Sequence, residues 1–172
     1  MIALSFVLYV IFFEQIMKSI LGNEYFIFIA RLIVGAMFIV VGVGKITDPN
    51  LFAKEIANYR MLPEILINSV AIVLPWIELI CGVLLILGVR LRANATVIFV
   101  LLLLFNIMVA TAWARGLDIN CGCYSQIAKQ TVGLPKLLEN TGLMFLSILI
   151  YLFPQNSLSL ESLVLQEAKG RE

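Results

Sequence analysis

The sequence predicts an all-α fold: an integral membrane four-helix bundle, with an additional N-terminal helix and a short interfacial helix between the first and second spans. Three observations predict it. Hydrophobic residues make up 62% of the 172 and charged residues 13%, where soluble domains carry about a quarter. Mean hydropathy is +1.03. Apolar runs near Tyr25–Ile46, Ile67–Leu87, Ala93–Trp113 and Pro135–Phe153 each approach the roughly 20 residues that a helix needs to cross a bilayer. The net charge of +1 gives no electrostatic case for nucleic acid. The chain has no histidine, which excludes His-ligated haem, His-containing zinc sites and Ser-His or Cys-His catalysis. The organisation is a segment 1–24, a membrane domain 25–153 and a polar tail 154–172.

Ile2 to Phe13 is apolar but too short to span alone, and Glu14, Gln15 and Lys18 interrupt the chain before Ile20-Leu21. No basic residue precedes the run and no small-residue cleavage site comes after it, so it is a poor signal peptide. It forms either an interfacial helix beside the bundle or a partial span. In the first span Arg31, Gly35, Phe38, Gly42 and Lys45 recur in steps of four and three, which places them on one face. The glycines there admit close approach of another helix. Arg31 and Lys45 are about 21 Å apart along the axis, so they belong near opposite membrane faces.

Thr47-Asp48-Pro49 starts a helix, with a capping side chain and then proline in the first turn. Leu51, Phe52, Ile56 and Tyr59 give it an apolar stripe, with Lys54, Glu55 and Arg60 elsewhere. It is expected to lie along the membrane and to end before Pro63. The second span holds Pro75, Glu78 and Gly82 on one face. A mid-membrane carboxylate is costly, so Glu78 requires a partner or a proton. Cys81 stands alone and is expected to behave as a small buried hydrophobe. Arg90 and Arg92 occupy a short turn. The third span contains Asn106 and ends at Trp113, an interface anchor. The fourth begins at Pro135 and carries Glu139 and Asn140 in its first turns.

Between the third and fourth spans lies the longest polar stretch, Ala114 to Leu134, and in it Cys121-Gly122-Cys123. Glycine between two cysteines lets the backbone bend enough to close a small, strained disulfide. Strained disulfides are readily reduced and suit electron exchange. The alternative is two unlinked thiols in a turn. A third reading is a soft-metal site in which both thiolates hold Cu(I) with Met61 or Met108.

Charge and redox chemistry set the sidedness. Lys18, Arg90, Arg92, Lys169 and Arg171 fall on one side and Lys45, Lys54, Arg60, Arg115, Lys129 and Lys136 on the other, so a raw count does not decide. The dense, very short Arg90 turn favours the cytoplasm on its side, and disulfides persist outside it. Cys121 and Cys123 are therefore expected on the periplasmic or extracellular side. Lys45, Arg115 and Glu139 are expected at that rim. The cations would lower a thiol pKa and the carboxylate would shuttle a proton; the alternative is that all three are interface anchors. Arg31 and Glu78 are expected in the other half, as a buried ion pair or as the lining of a head-group pocket, for example for a quinone.

Arg31 through Gly42-Val-Gly-Lys45, Asp48-Pro49-x-x-Phe52-Ala53, and Leu74-Pro75-Trp76-Ile77-Glu78 with Gly82 and Gly88 resemble the DoxX-like membrane proteins. Arg115-Gly116-Leu117-Asp118-Ile119-Asn120-Cys121-Gly122-Cys123 resembles the methylamine-utilisation MauE branch of that family. The likeness covers about residues 28 to 150; Tyr124-Ser125 stands where Phe-Gly is common. It implies an inner-membrane four-helix bundle associated with disulfide redox work, alongside a thioredoxin-like periplasmic partner. For DoxD-type relatives it implies a link to quinone. Against this stands a non-catalytic subunit of a larger membrane complex, since kinship of fold does not establish an activity.

Overall fold

The computed structural model describes residues 23–117, 119 and 133–154. Residues 1–22 of the N-terminal segment, the cysteine pair and residues 155–172 of the polar tail lie outside the described residues.

Five helices make up the described chain: α1 Glu24–Thr47, α2 Pro49–Asn58, α3 Glu64–Leu87, α4 Leu91–Ala114 and α5 Leu134–Leu152. Local chemistry sets their ends. The Asn23 side chain accepts from the Tyr25 amide at 3.0 Å, and Asp48 accepts from Leu51 N at 2.9 Å with Pro49 next in the chain. These caps satisfy amides that a helix start leaves without partners. Gly88 closes α3 in the left-handed region, at φ 75, which glycine enters without steric cost. Arg90 comes two residues later at φ 44, and the Asn94 amide steadies this turn by donating to the Val89 carbonyl at 2.6 Å.

Three of the helices, α1, α3 and α4, are long and apolar enough to cross a membrane. Their most apolar windows are only 39%, 33% and 28% buried. The outward faces nevertheless remain apolar, with Ile72, Trp76, Ile80, Leu104 and Ile107 exposed. A surface of that kind is matched to lipid rather than to water.

The most extensive packing is between α1 and α3, and next between α4 and α5; α1 also meets α5, and α3 meets α4. Close approach of α1 and α3 depends on glycine. A Cβ on Gly82 would stand 2.8 Å from the Gly35 carbonyl oxygen, and one on Gly42 would stand 3.0 Å from the Pro75 carbonyl oxygen. Gly35 against Gly82 and Gly42 against Pro75 fix an antiparallel register. The predicted face of α1 is the buried one: Arg31, Gly35, Phe38, Gly42 and Lys45 all point inward. So do Pro75, Glu78, Cys81 and Gly82 of α3.

Helix α2 packs on the first half of α3 through Phe52 and Ile56 against Ala71. Its Glu55 is buried too, so the helix hides more than the apolar stripe expected from its sequence.

Candidate functional site

Lys45 and Glu78 meet in the interior. The Lys45 ammonium donates to both carboxylate oxygens of Glu78, at 2.7 and 2.8 Å, with both residues buried. The Nζ also lies 4.6 Å from the centroid of the Phe52 ring, a cation–π contact from α2. The α1–α3 register produces the pair. Lys45 is three residues beyond Gly42 and Glu78 three beyond Pro75, which diverge along antiparallel axes. Helical side chains lean toward their own N-termini, so these two lean toward each other and close the gap.

Lys45 stands in the last turn of α1 as expected, but its side chain reaches inward to a partner near the middle of the 24-residue α3. A second expectation is corrected. The expected Arg31–Glu78 pair does not form, because Glu78 is held by Lys45. Arg31 instead donates from Nε to the Leu85 carbonyl at 3.2 Å and from Nη2 to the Ile86 carbonyl at 3.0 Å. Both carbonyls lie in the last turn of α3, where the helix ladder runs out; that of Leu85 also accepts from the Gly88 amide at 3.2 Å. A quinone head-group pocket built on Arg31 and Glu78 therefore does not fit the geometry.

The remaining candidates occupy the end of the molecule where α4 stops and α5 starts. Lys136 donates to Glu139 at 2.9 Å, one turn apart on α5. Arg115 donates from Nη2 to the Tyr59 carbonyl at the end of α2. Lys45, Arg115 and Glu139 are thus engaged with three different partners, not gathered as one cluster. Their relation to Cys121 and Cys123 falls outside the described residues. Cys81 is a buried, unpaired thiol, as expected of a small core residue.

Two cavities meet at the ion pair, and neither is foretold by the sequence. A small one of about 50 Å³ is lined by Lys45, Glu78 and Asn140 among apolar side chains. The Asn140 amide nitrogen is buried with no hydrogen-bond partner among the described residues. A larger one of about 370 Å³ lies under α2, with Lys45, Glu55 and Glu78 on an otherwise largely apolar wall. Met61 and Met108 both line it, and Met61 accepts from the Thr111 hydroxyl at 3.2 Å. Lys45, Glu78, Leu101 and Phe105 are walls of both cavities. The sequence signal for Asn140 is its place one residue after Glu139; its role becomes visible only once α5 is seated beside α1.

Residues 23–153 match the family model described as methylamine utilisation protein MauE. The chain belongs to the MauE family. Among MauE relatives, the methylamine utilization protein of Methylophilus methylotrophus is 29% identical over 151 residues, covering 85% of this chain and 79% of the relative. That of Methylorubrum extorquens is 35% identical over 100 residues, 58% of this chain and 54% of the relative. That of Paracoccus denitrificans is 30% identical over 121 residues, 70% and 65% respectively. No solved structure matches the chain. The MauE match takes in all five helices and the cysteine segment, so the ion pair and the cysteines belong to one family unit.

Proposed function

We propose that this chain is a membrane component of methylamine utilisation that performs thiol–disulfide exchange through Cys121 and Cys123 with a soluble thioredoxin-like partner. It sits in the inner membrane as a four-span bundle. Helix α5, 19 residues long and about 28 Å at 1.5 Å per residue, serves as the fourth crossing. The cysteine segment opens to the periplasmic side.

The observation that carries the reading is where buried charge accumulates. Among the described residues the buried side chains of the charged types are Arg31, Lys45, Glu55, Glu78 and Lys136. All but Arg31 lie from the middle of α3 toward the end where the cysteine segment leaves α4 and enters α5. Ionisable groups inside a membrane domain are costly and mark function. Arg115, six positions before Cys121, pins the start of that segment to α2.

In the exchange a thiolate from the pair attacks the partner's disulfide and forms a mixed disulfide. The second cysteine resolves it, so two electrons and two protons leave the dithiol for the partner; the reverse reaction runs the other way. No step passes through a quinone held by Arg31 and Glu78, since those residues have other partners.

The test is complementation. A host lacking its own MauE gene regains growth on methylamine with this chain and does not with Cys121→Ser or Cys123→Ser, at equal membrane abundance. Full growth with both serine variants would instead support a purely structural subunit.

A further inference from the structure

Asn140 poses a problem that its neighbours do not solve. Its amide nitrogen is buried, has no acceptor among the described residues, and belongs to a residue that is 3% exposed and lines the small cavity with Lys45 and Glu78. An unmet buried donor costs about 1–3 kcal/mol, so the site calls for an acceptor. The adjoining larger cavity, about 370 Å³, has Ile56, Leu74, Leu104 and Met108 on its walls. Its size falls in the range of small-molecule sites, about 300–1,000 Å³, and apolar walls with a few convergent polar groups are their usual form.

We infer that the two cavities together bind a membrane-soluble carbonyl compound, whose carbonyl oxygen accepts from Asn140 Nδ2 beside the Lys45–Glu78 pair and whose apolar body lies under α2. A carbonyl is the fitting group because donors converge there: the Asn140 amide and the Lys45 ammonium. The ion pair is neutral as a unit and Glu55 adds a carboxylate to the wall of the larger cavity, so a neutral ligand is favoured over an anion, which would be both desolvated and repelled. Two sources supply such a molecule in a bilayer, the ring carbonyl of a quinone and the ester carbonyl of a lipid. The site uses neither Cys121 nor Cys123, so it stands or falls apart from the exchange reaction.

The experiment is saturation binding to the full chain in lipid nanodiscs, with tritiated decylubiquinone and tritiated monopalmitin as probes and unlabelled decylbenzene as a competitor lacking a carbonyl. The expected result is saturable binding of at least one probe, at one per chain. Asn140→Leu should weaken it about tenfold, the equivalent of one hydrogen bond worth about 1.4 kcal/mol. Leu74→Trp, which fills the larger cavity, should abolish it, and Cys121→Ser/Cys123→Ser should leave it unchanged. Decylubiquinone alone identifies the ring source and monopalmitin alone the ester source. The inference is overturned if neither probe saturates, if decylbenzene competes as well as the carbonyl compounds, or if a folded Asn140→Leu chain binds like the unaltered one, which would leave the small cavity to water. Should Asn140→Leu not fold, Leu74→Trp decides: unchanged binding overturns the inference.

Discussion

Arg31 and Lys45 stand on the same face of the same helix, both buried, yet they do different work. Arg31 reaches the last turn of α3 and donates to the carbonyls of Leu85 and Ile86. A cation at a helix C-terminus answers both the last carbonyls and the negative end of the helix dipole. Its role there is to finish a helix. Lys45 meets a carboxylate beside two cavities. A buried ion pair contributes little net stability, because desolvation offsets the attraction. The difference teaches that a buried charge in a membrane domain is read by its partner: backbone carbonyls for construction, a second ionisable group beside open space for a site.

The sharpest way to break that comparison is to remove one member of the ion pair. Lys45→Met should destabilise the protein by about 3–5 kcal/mol, since it strands the Glu78 carboxylate. Lys45→Met/Glu78→Leu should recover most of the loss, because two apolar residues replace a pair of small net worth. Thermal unfolding of the three chains in one detergent measures this, and a double variant as unstable as the single one would contradict it.

Next in size is the contact that sets the register. Gly82→Ala drives a methyl group to 2.8 Å from the Gly35 carbonyl oxygen and should cost about 1–3 kcal/mol. By moving α3 from α1 it should also lower the yield of a Lys45–Glu78 crosslink formed by a zero-length carbodiimide. Unchanged stability and crosslinking would show that the helices do not approach as closely as described.

Arg31→Leu should cost about 1–3 kcal/mol, chiefly through the Ile86 carbonyl that loses its donor, with probe binding at the Asn140 site unaltered. Binding that falls with Arg31→Leu would erase the distinction between the two cations. The smallest expected effect is Asp48→Ala, about 1 kcal/mol for a lost helix cap, read as a small drop in unfolding temperature without change in binding.

Much of the fold is legible because membrane helices write long apolar runs, and because their glycines and prolines fall at helical spacing. The Arg31-to-Lys45 face, the Asp48-Pro49 cap and the Pro75–Glu78–Gly82 face are all readable for that reason. The pairing of Lys45 is not. Depth counted from the end of the first span assumes that every helix stops at the same plane. The glycine contacts instead set α1 against the middle of α3. The equal spacing of Gly42 to Lys45 and Pro75 to Glu78 holds the clue, but it becomes readable only when Gly42 is known to rest on Pro75. Glu55 escapes for a related reason: an amphipathic stripe foretells which face of a short helix packs, not that α3 and α4 enclose a cavity beneath it. Asn140 gives no periodic signal at all.

The central claim is that Cys121 and Cys123 trade electrons outside the cytoplasm, and side-specific thiol trapping tests it most directly. Intact cells are treated with a membrane-impermeant maleimide before and after mild reduction, and the mass of the chain is read. The account predicts that reduction exposes two additional thiols to the impermeant reagent, both lost in Cys121→Ser/Cys123→Ser. Labelling that requires opened cells, or equal labelling without reduction across the full range of ambient redox potentials, would contradict it.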